Sequence, residues 1–298
     1  MSISNRTKAE LLLLFAQSLI GLRYVCVKSL TQCCSVEYIT FMRFFTGALV
    51  MYVILRKKIT FNAVTIYRGV VMGLLLGVVM HLQTLGLAIS STGQAAYLSS
   101  ISVVLVPLLN ALIFRIVPTK WNIAAALICS AGILVMTLQI PFAFSSADIL
   151  LLSSAVVSAI TSLWSSRSVA TKEANAYTLS FLQMLTIGII YFFFTLFSNS
   201  WPTELPPTAI AELVYCGVIV ASFCNTVSIS AYRYTSVNRT SLISSTQPAF
   251  AALFGVLLLH ERPTARFLCG SAMVFGATIL VIIGRQRNAP TPSETTKS

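Results

Sequence analysis

Ten apolar runs, each close to 20 residues long, occupy most of this chain: 10–29, 36–55, 67–89, 93–115, 120–139, 147–166, 177–198, 210–232, 240–259 and 265–284. A run of that length crosses the hydrocarbon of a bilayer, about 30 Å, when wound as an α-helix rising about 1.5 Å per residue. The separators carry charge or turn chemistry, as in Arg56-Lys57-Lys58, Pro141, Trp201-Pro202, Pro206-Pro207 and Arg262-Pro263. No run shows the strict alternation that the strands of a spanning β-barrel require. The fold class that follows is an all-α integral membrane protein with ten transmembrane helices. Composition closes off the soluble alternative, because only 9% of the 298 residues are charged and 56% are hydrophobic. A globule needs about 25% charged residues to keep its surface solvated. No segment is long enough for an extramembrane domain, and the polar stretch 285–298 reads as a disordered tail.

The formal net charge of +12 would suggest nucleic acid in a soluble protein. In a membrane protein the same excess serves the cytoplasmic loops, so the expected partner is the lipid bilayer and no nucleic acid. With the N-terminus inside, one face receives Arg6, Lys8, Arg56, Lys57, Lys58, Arg68, Arg115, Lys120, Arg167, Lys172, Arg233, Arg239, Arg285, Arg287 and Lys297. The other receives only Lys28, Arg262 and Arg266, fifteen against three, with Arg23 and Arg43 inside spans. Miscounting one helix would destroy that bias. Both termini are therefore expected in the cytoplasm, and the location is a bacterial-type inner membrane. Leu11 to Ile20 after Arg6 and Lys8 imitates a signal peptide, but no small-x-small cleavage site follows, so an uncleaved first helix is expected. Of seven cysteines, Cys26, Cys129, Cys216, Cys224 and Cys269 lie in apolar runs and Cys33 and Cys34 in a connection. No zinc-ligand spacing exists, and His81 and His260 are far apart. Neither metal nor cofactor is expected.

A weak internal repeat divides the chain. Ala9-Glu10-Leu11-Leu12-Leu13-Leu14 matches Ala147-Asp148-Ile149-Leu150-Leu151-Leu152 at an offset of 138. Ser99-Ser100 and Pro118-Thr119 match Ser244-Ser245 and Pro263-Thr264 at an offset of 145. The common phase predicts two five-helix units, 1–140 and 141–284. An odd helix count inserts the second unit upside down, the arrangement secondary transporters use to exchange which side of a central site is open.

At this point the chain resembles the EamA-type drug/metabolite transporters over nearly its whole length. The resemblance rests on Phe41-Met42-Arg43-Phe44-Phe45, on Leu82-Gln83-Thr84-Leu85-Gly86-Leu87-Ala88, and on Ser91-Thr92-Gly93-Gln94-Ala95-Ala96-Tyr97-Leu98. It also rests on Val104-Leu105-Val106-Pro107-Leu108, Gln247-Pro248 and Leu259-His260-Glu261-Arg262-Pro263. The first half departs from the pattern at Ile116, where a glutamate is expected. The resemblance implies a transporter fold, and it leaves the cargo open among amino acids, nucleotide-like metabolites, drugs and sugars.

Arg23 and Arg43 are the sharpest chemical signals, because a charge in the bilayer core costs at least about 2.5 kcal/mol unless it faces protein, water or the interface. Both are expected six or seven residues below the outer surface, where they could form one cationic patch for a carboxylate or phosphate. The competing reading has Arg43 bracing helix contacts with Glu37 as its partner. No carboxylate falls mid-membrane, which counts against a proton-coupled exporter of cationic drugs. Gln17, His81, Gln83, Tyr97, Ser99 to Ser102, Ser158, Trp164, Gln183, Asn225, Ser228, Ser244, Ser245 and Gln247 are midplane polar groups. They must either line a wet cavity or hydrogen-bond between helices. The substrate-binding set expected from these is Arg43, Arg23, His81, Gln83, Tyr97, Ser100, Trp164, Asn225, Ser245 and Gln247. Gly69, Gly73 and Gly77 clear one face of helix three for close packing, and Pro107 and Pro248 are hinges or simple kinks. There is no phosphate loop, nucleophile elbow or paired intramembrane aspartate, so no catalytic residues are assigned.

The function expected is export of a small polar metabolite, an amino acid or derivative first, by alternating access. Protons or a counter-substrate are open as coupling partners, and the oligomer is open between monomer and homodimer. The alternatives are an exchanger or importer of a nucleotide-like or phosphorylated anion, and a non-transporting membrane scaffold.

Overall fold

A computed structural model describes residues 5–90, 92–115, 120–137, 145–171, 174–259 and 265–283. Ile116, Pro141, the 260–263 stretch and the 285–298 tail lie outside the described residues. Among the described residues the chain is helical with no strand: α1 (Asn5–Leu30), α2 (Val36–Leu55), α3 (Ala63–Ala88), α4 (Thr92–Ser99), α5 (Ser102–Phe114), α6 (Lys120–Thr137) and α7 (Ser146–Ala170). Then follow α8 (Ala176–Phe197), α9 (Pro207–Val214), a π-helical stretch (Tyr215–Cys224), α10 (Asn225–Ala231), α11 (Val237–Ser244), α12 (Gln247–Leu259) and α13 (Ala265–Ile283). Seven helical stretches are long and apolar enough to cross a bilayer, and three shorter apolar helices accompany them.

The helices start where short polar side chains satisfy the free N–H groups of a first turn. Ser35 accepts from the Tyr38 N–H at 3.2 Å, and Asn62 accepts from the Thr65 N–H at 2.6 Å. Ser145 and Asp148 cap α7 reciprocally, at 3.3 and 2.9 Å. Large apolar side chains such as Ile54 (70% exposed), Leu112 (76%) and Phe197 (81%) face outward, which only a lipid solvent tolerates on this scale.

Small residues let the rods approach. At Gly73 of α3 a Cβ would fall 2.6 Å from Thr186 Cβ and 2.9 Å from the Gln183 carbonyl of α8. At Gly132 of α6 it would fall 2.8 Å from the Gly270 carbonyl of α13. Main packing pairs are α6 on α13, α2 on α8, α3 on α7 and α8, and α1 on α12, with α2 and α1 also against the Pro207–Ala231 rod. α4 and α5 lie along α7.

The two ends of the bundle differ in chemistry. At one, Ser35 donates to the Ser200 carbonyl at 3.0 Å, Tyr38 meets Trp201, and Lys28 Nζ caps α3 through the carbonyls of Leu87, Ala88 and Ser90 at 2.7–3.0 Å. At the other, Asn175 donates to the Lys58 carbonyl at 2.5 Å. Arg68 there reaches Thr171 and the Arg167 carbonyl, and Arg233 donates to the Ala174 carbonyl at 2.7 Å. The basic residues gather there. Arg239, at the same end, lies on the first turn of α11, is 2% exposed, and binds Glu10 of α1 through Nε and Nη2 at 2.7 and 2.9 Å.

The helical pairs that carry Pro107 and Pro248 are each interrupted upstream of the proline. α4 gives way to α5 at Ser100–Ile101 and α11 to α12 at Ser245–Thr246, positions related by the sequence offset of 145. Pro107 lies inside α5 and Pro248 is the second residue of α12. Proline lacks the N–H that would bond one turn back, which weakens the helix before it.

Candidate functional site

A polar cavity of about 210 Å³ sits in the middle of the bundle, enclosed by α1, α2, α3, the α4–α5 junction, α7, the Val220–Tyr232 stretch and the α11–α12 junction. Arg23 and Arg43 both line it, and among the described residues no aspartate or glutamate does. Arg43 is 1% exposed; its Nη2 lies 4.0 Å from Met80 Sδ. Its Nε and Nη1 are buried without a hydrogen-bond partner among the described residues. Arg23 reaches the same sulfur at 3.3 Å and Gln83 Oε1 at 3.4 Å, and its Nε is also unpartnered. Each guanidinium stands against the ring of the next residue, Arg23 at 4.6 Å from the Tyr24 centroid and Arg43 at 5.5 Å from that of Phe44. Rings and a thioether are weak stand-ins for a carboxylate. Arg43 makes no ion pair with Glu37 or any other described residue; the pairs found all converge on Glu10. Two neighbouring cations with unused donors, and no counter-charge among the described residues, leave buried charge uncompensated, which is costly.

The rest of the wall supplies neutral polar groups. Asn225, at the exit of the π-helical stretch, is held by α8 through Nδ2 contacts of 2.9 Å to Gln183 Oε1 and 3.4 Å to Ser180 Oγ. The wider π turn shifts the phase of the rod just before Asn225, and such turns cluster at functional sites. Gln247 donates to Gln17 across the cavity, joining α12 to α1. Ser99 and Ser100 donate to the carbonyls of Ala95 and Ala96 at 2.7 and 2.8 Å, and Ser162 to that of Ser158 at 2.9 Å. With their protons directed into their own helices, these hydroxyls keep lone pairs available as acceptors.

Of the substrate-binding set expected from sequence, Arg23, Arg43, Gln83, Ser100, Asn225 and Gln247 come together on this cavity, and three others do not. His81 lies with its ring 5.7 Å from that of Tyr191, and its Nδ1 has no partner. Trp164 packs beside an apolar cluster of α5, α7 and α8. Ser245 turns its hydroxyl onto the Leu242 carbonyl at 2.6 Å, while its neighbour Ser244 lines the cavity. The side chain of Tyr97 lies outside the described residues. Met80, Tyr24, Phe44, Ser162, Tyr232 and Ser241 were not singled out, yet they line the site. Met80 could have been found as the residue one turn below Gln83 on the same face.

No curated protein matches the chain. A solved structure, described only as the crystal structure of a protein, superposes on it with a TM-score of 0.73 at 17% identity, covering 94% of this chain and 96% of that one. At that identity the likeness speaks for the fold alone. The sequence pattern of one family matches twice, over residues 7–138 and again over 145–283, and so takes in nearly all of the helical bundle that builds the cavity. The chain belongs to the EamA-like transporter family.

Proposed function

We propose that this protein is a ten-span inner-membrane exporter of a small amino-acid-like metabolite, working by alternating access between two inverted five-helix halves. The carboxylate of the cargo sits between Arg43 and Arg23, and its ammonium faces the acceptor oxygens of Ser100, Gln83 and Gln247. The observation that carries this reading is the pair of guanidiniums, both buried on one cavity with unpartnered donors and no carboxylate on its lining among the described residues. Size narrows the class: drug-sized ligands occupy pockets of about 300–1,000 Å³, and this cavity is about 210 Å³.

The two-half reading draws support from the packing, in which contacts recur when helices are exchanged between halves. α3 on α7 has its counterpart in the Pro207–Ala231 rod on α1, α3 on α8 in that rod on α2, and α1 on α12 in α7 on α5. The gathering of basic residues at one end supports cytoplasmic termini. Pro107 and Pro248 then serve as hinges for the rocking of one half against the other.

Proteoliposomes preloaded with labelled neutral amino acids, dicarboxylates or sugar phosphates test the proposal. Efflux of an amino acid, reduced at least ten-fold in Arg43→Gln, is the expected result. A second reading, exchange of a phosphorylated anion, is favoured by the double positive charge, and exclusive flux of the phosphate would establish it instead. Absence of flux for every cargo, from folded protein, favours a scaffold.

A further inference from the structure

A second hollow, about 760 Å³ in volume, opens on the outer face of the bundle between α1, α2 and the Pro207–Ala231 rod. Its walls are apolar and turned toward lipid: Leu12, Ile54 and Phe223 are 46, 70 and 41% exposed. Thr226, one of its polar residues, donates its hydroxyl to the Ser222 carbonyl at 2.6 Å. From Val218 to Ala231 the groove runs roughly 20 Å along the rod at about 1.5 Å per residue. That is enough to follow one leaflet's half of a hydrocarbon core about 30 Å thick.

The rim is the opposite of the walls. The groove ends at the basic end of the bundle, where exposed Lys8 is part of the lining. Leu55, also in the lining, leads directly into Arg56, Lys57 and Lys58, all exposed. Lys58 Nζ stands 5.4 Å from the centre of the Tyr177 ring, and Tyr177 and Tyr234 both line the groove. Among the described residues, the carboxylate of Glu10, next in the chain to the lining residue Ala9, is taken up by Arg239 and Arg6. Cations and tyrosines at headgroup level above an apolar channel are the two halves of a lipid site.

We propose that this groove holds an anionic phospholipid, with an acyl chain along Leu12, Met51, Ile54 and Phe223 and the phosphate on Lys8 and Lys58. A soluble phosphate would need only the rim, and a zwitterionic lipid, whose phosphate is balanced by its own ammonium, brings no net charge to offset the lysines. A second copy of this chain, docked about a two-fold axis, would bring the same cluster of basic residues face to face.

The test is native mass spectrometry of the purified full-length protein, released from detergent after titration with cardiolipin, phosphatidylglycerol or phosphatidylcholine. Anionic lipids should stay bound preferentially. Lys8→Gln and Lys58→Gln should each weaken retention by about five-fold, the order expected of one basic residue at an anionic surface. Val218→Trp, which fills the channel and leaves the rim intact, should reduce retention of cardiolipin and phosphatidylglycerol alike. Equal retention of phosphatidylcholine overturns the proposal, as does retention indifferent to the lysines in a protein of unchanged melting temperature. A dimer that Val218→Trp abolishes would assign the groove to a second copy and equally overturn it.

Discussion

Arg43 illustrates how one side chain can cost stability and yet be kept. It is buried at 1% exposure with Nε and Nη1 unpartnered, an arrangement that favours the folded state less than a well-packed apolar residue would. A bracing role and a binding role therefore separate experimentally. Arg43→Met should leave the detergent melting temperature unchanged or raised. It should also increase the half-saturation concentration for cargo about ten- to a hundred-fold, the loss of one or two charge-assisted hydrogen bonds. A lowered melting temperature with transport intact would assign Arg43 to packing. Both arginines were legible in the sequence because a charge inside an apolar run is conspicuous whatever the fold. The phase of each helix was not legible. Ser244 and Ser245 differ by about 100° around the axis, and only the packing of α11 decides that Ser244 meets the cavity. Met80 is legible only through its place one turn from Gln83 on the same face, because a thioether in an apolar run gives no chemical signal of its own.

Between elements, the ion pair found among the described residues is Glu10 of α1 with Arg239 of α11, joined by the Thr235 hydroxyl at 3.0 Å and by Arg6 at 3.2 Å. It ties the two halves of the chain together at the basic end, below the cavity. Both residues read from sequence as ordinary segment-end charges, because burial at a helix terminus depends on which neighbours converge there. Arg239→Met leaves the buried carboxylate with only Arg6 and the Thr235 hydroxyl and should destabilise the protein by about 3 kcal/mol, the lower end for a broken buried pair. The double variant Glu10→Gln with Arg239→Met should recover most of that loss, and thermal melting in detergent checks both. Full additivity of the two single variants would mean that the pair is not coupled. The glycine stripe of α3 is legible from its spacing alone, although its partner is not. With Thr186 Cβ 2.6 Å from the site of a new Cβ, Gly73→Ala should cost about 1–3 kcal/mol by overpacking against α8.

At the scale of the whole molecule, the apolar runs and the lysine and arginine asymmetry disclosed the fold class, while the ten-span count and its direction rest on which loops share a side. The 31–35 connection offers a direct measurement. It joins α1 to α2 at the end away from the basic cluster, beside Ser200 and Trp201, and it carries two adjacent cysteines of unlike character. Cys33 is exposed and Cys34 buried. Burial, and the hydrogen bond with Cys33, push the Cys34 thiol up to about 12. Alkylation proceeds through the thiolate, so near neutral pH Cys34 stays protonated and unreactive, and it would gain reactivity only as the pH rises toward that value. The remaining exposed thiol, Cys269, lies on the second turn of α13 and is replaced by serine for the measurement. A membrane-impermeant maleimide added to intact cells at neutral pH should therefore label the protein at one position. Cys33→Ser should abolish that labelling and Cys34→Ser should leave it. If label enters only after the cells are opened, the 31–35 connection faces the cytoplasm, and the orientation inferred from the basic end is reversed. If label reaches Cys33 from both sides in a single population, the chain inserts in two directions, and the charge asymmetry is too weak to orient it.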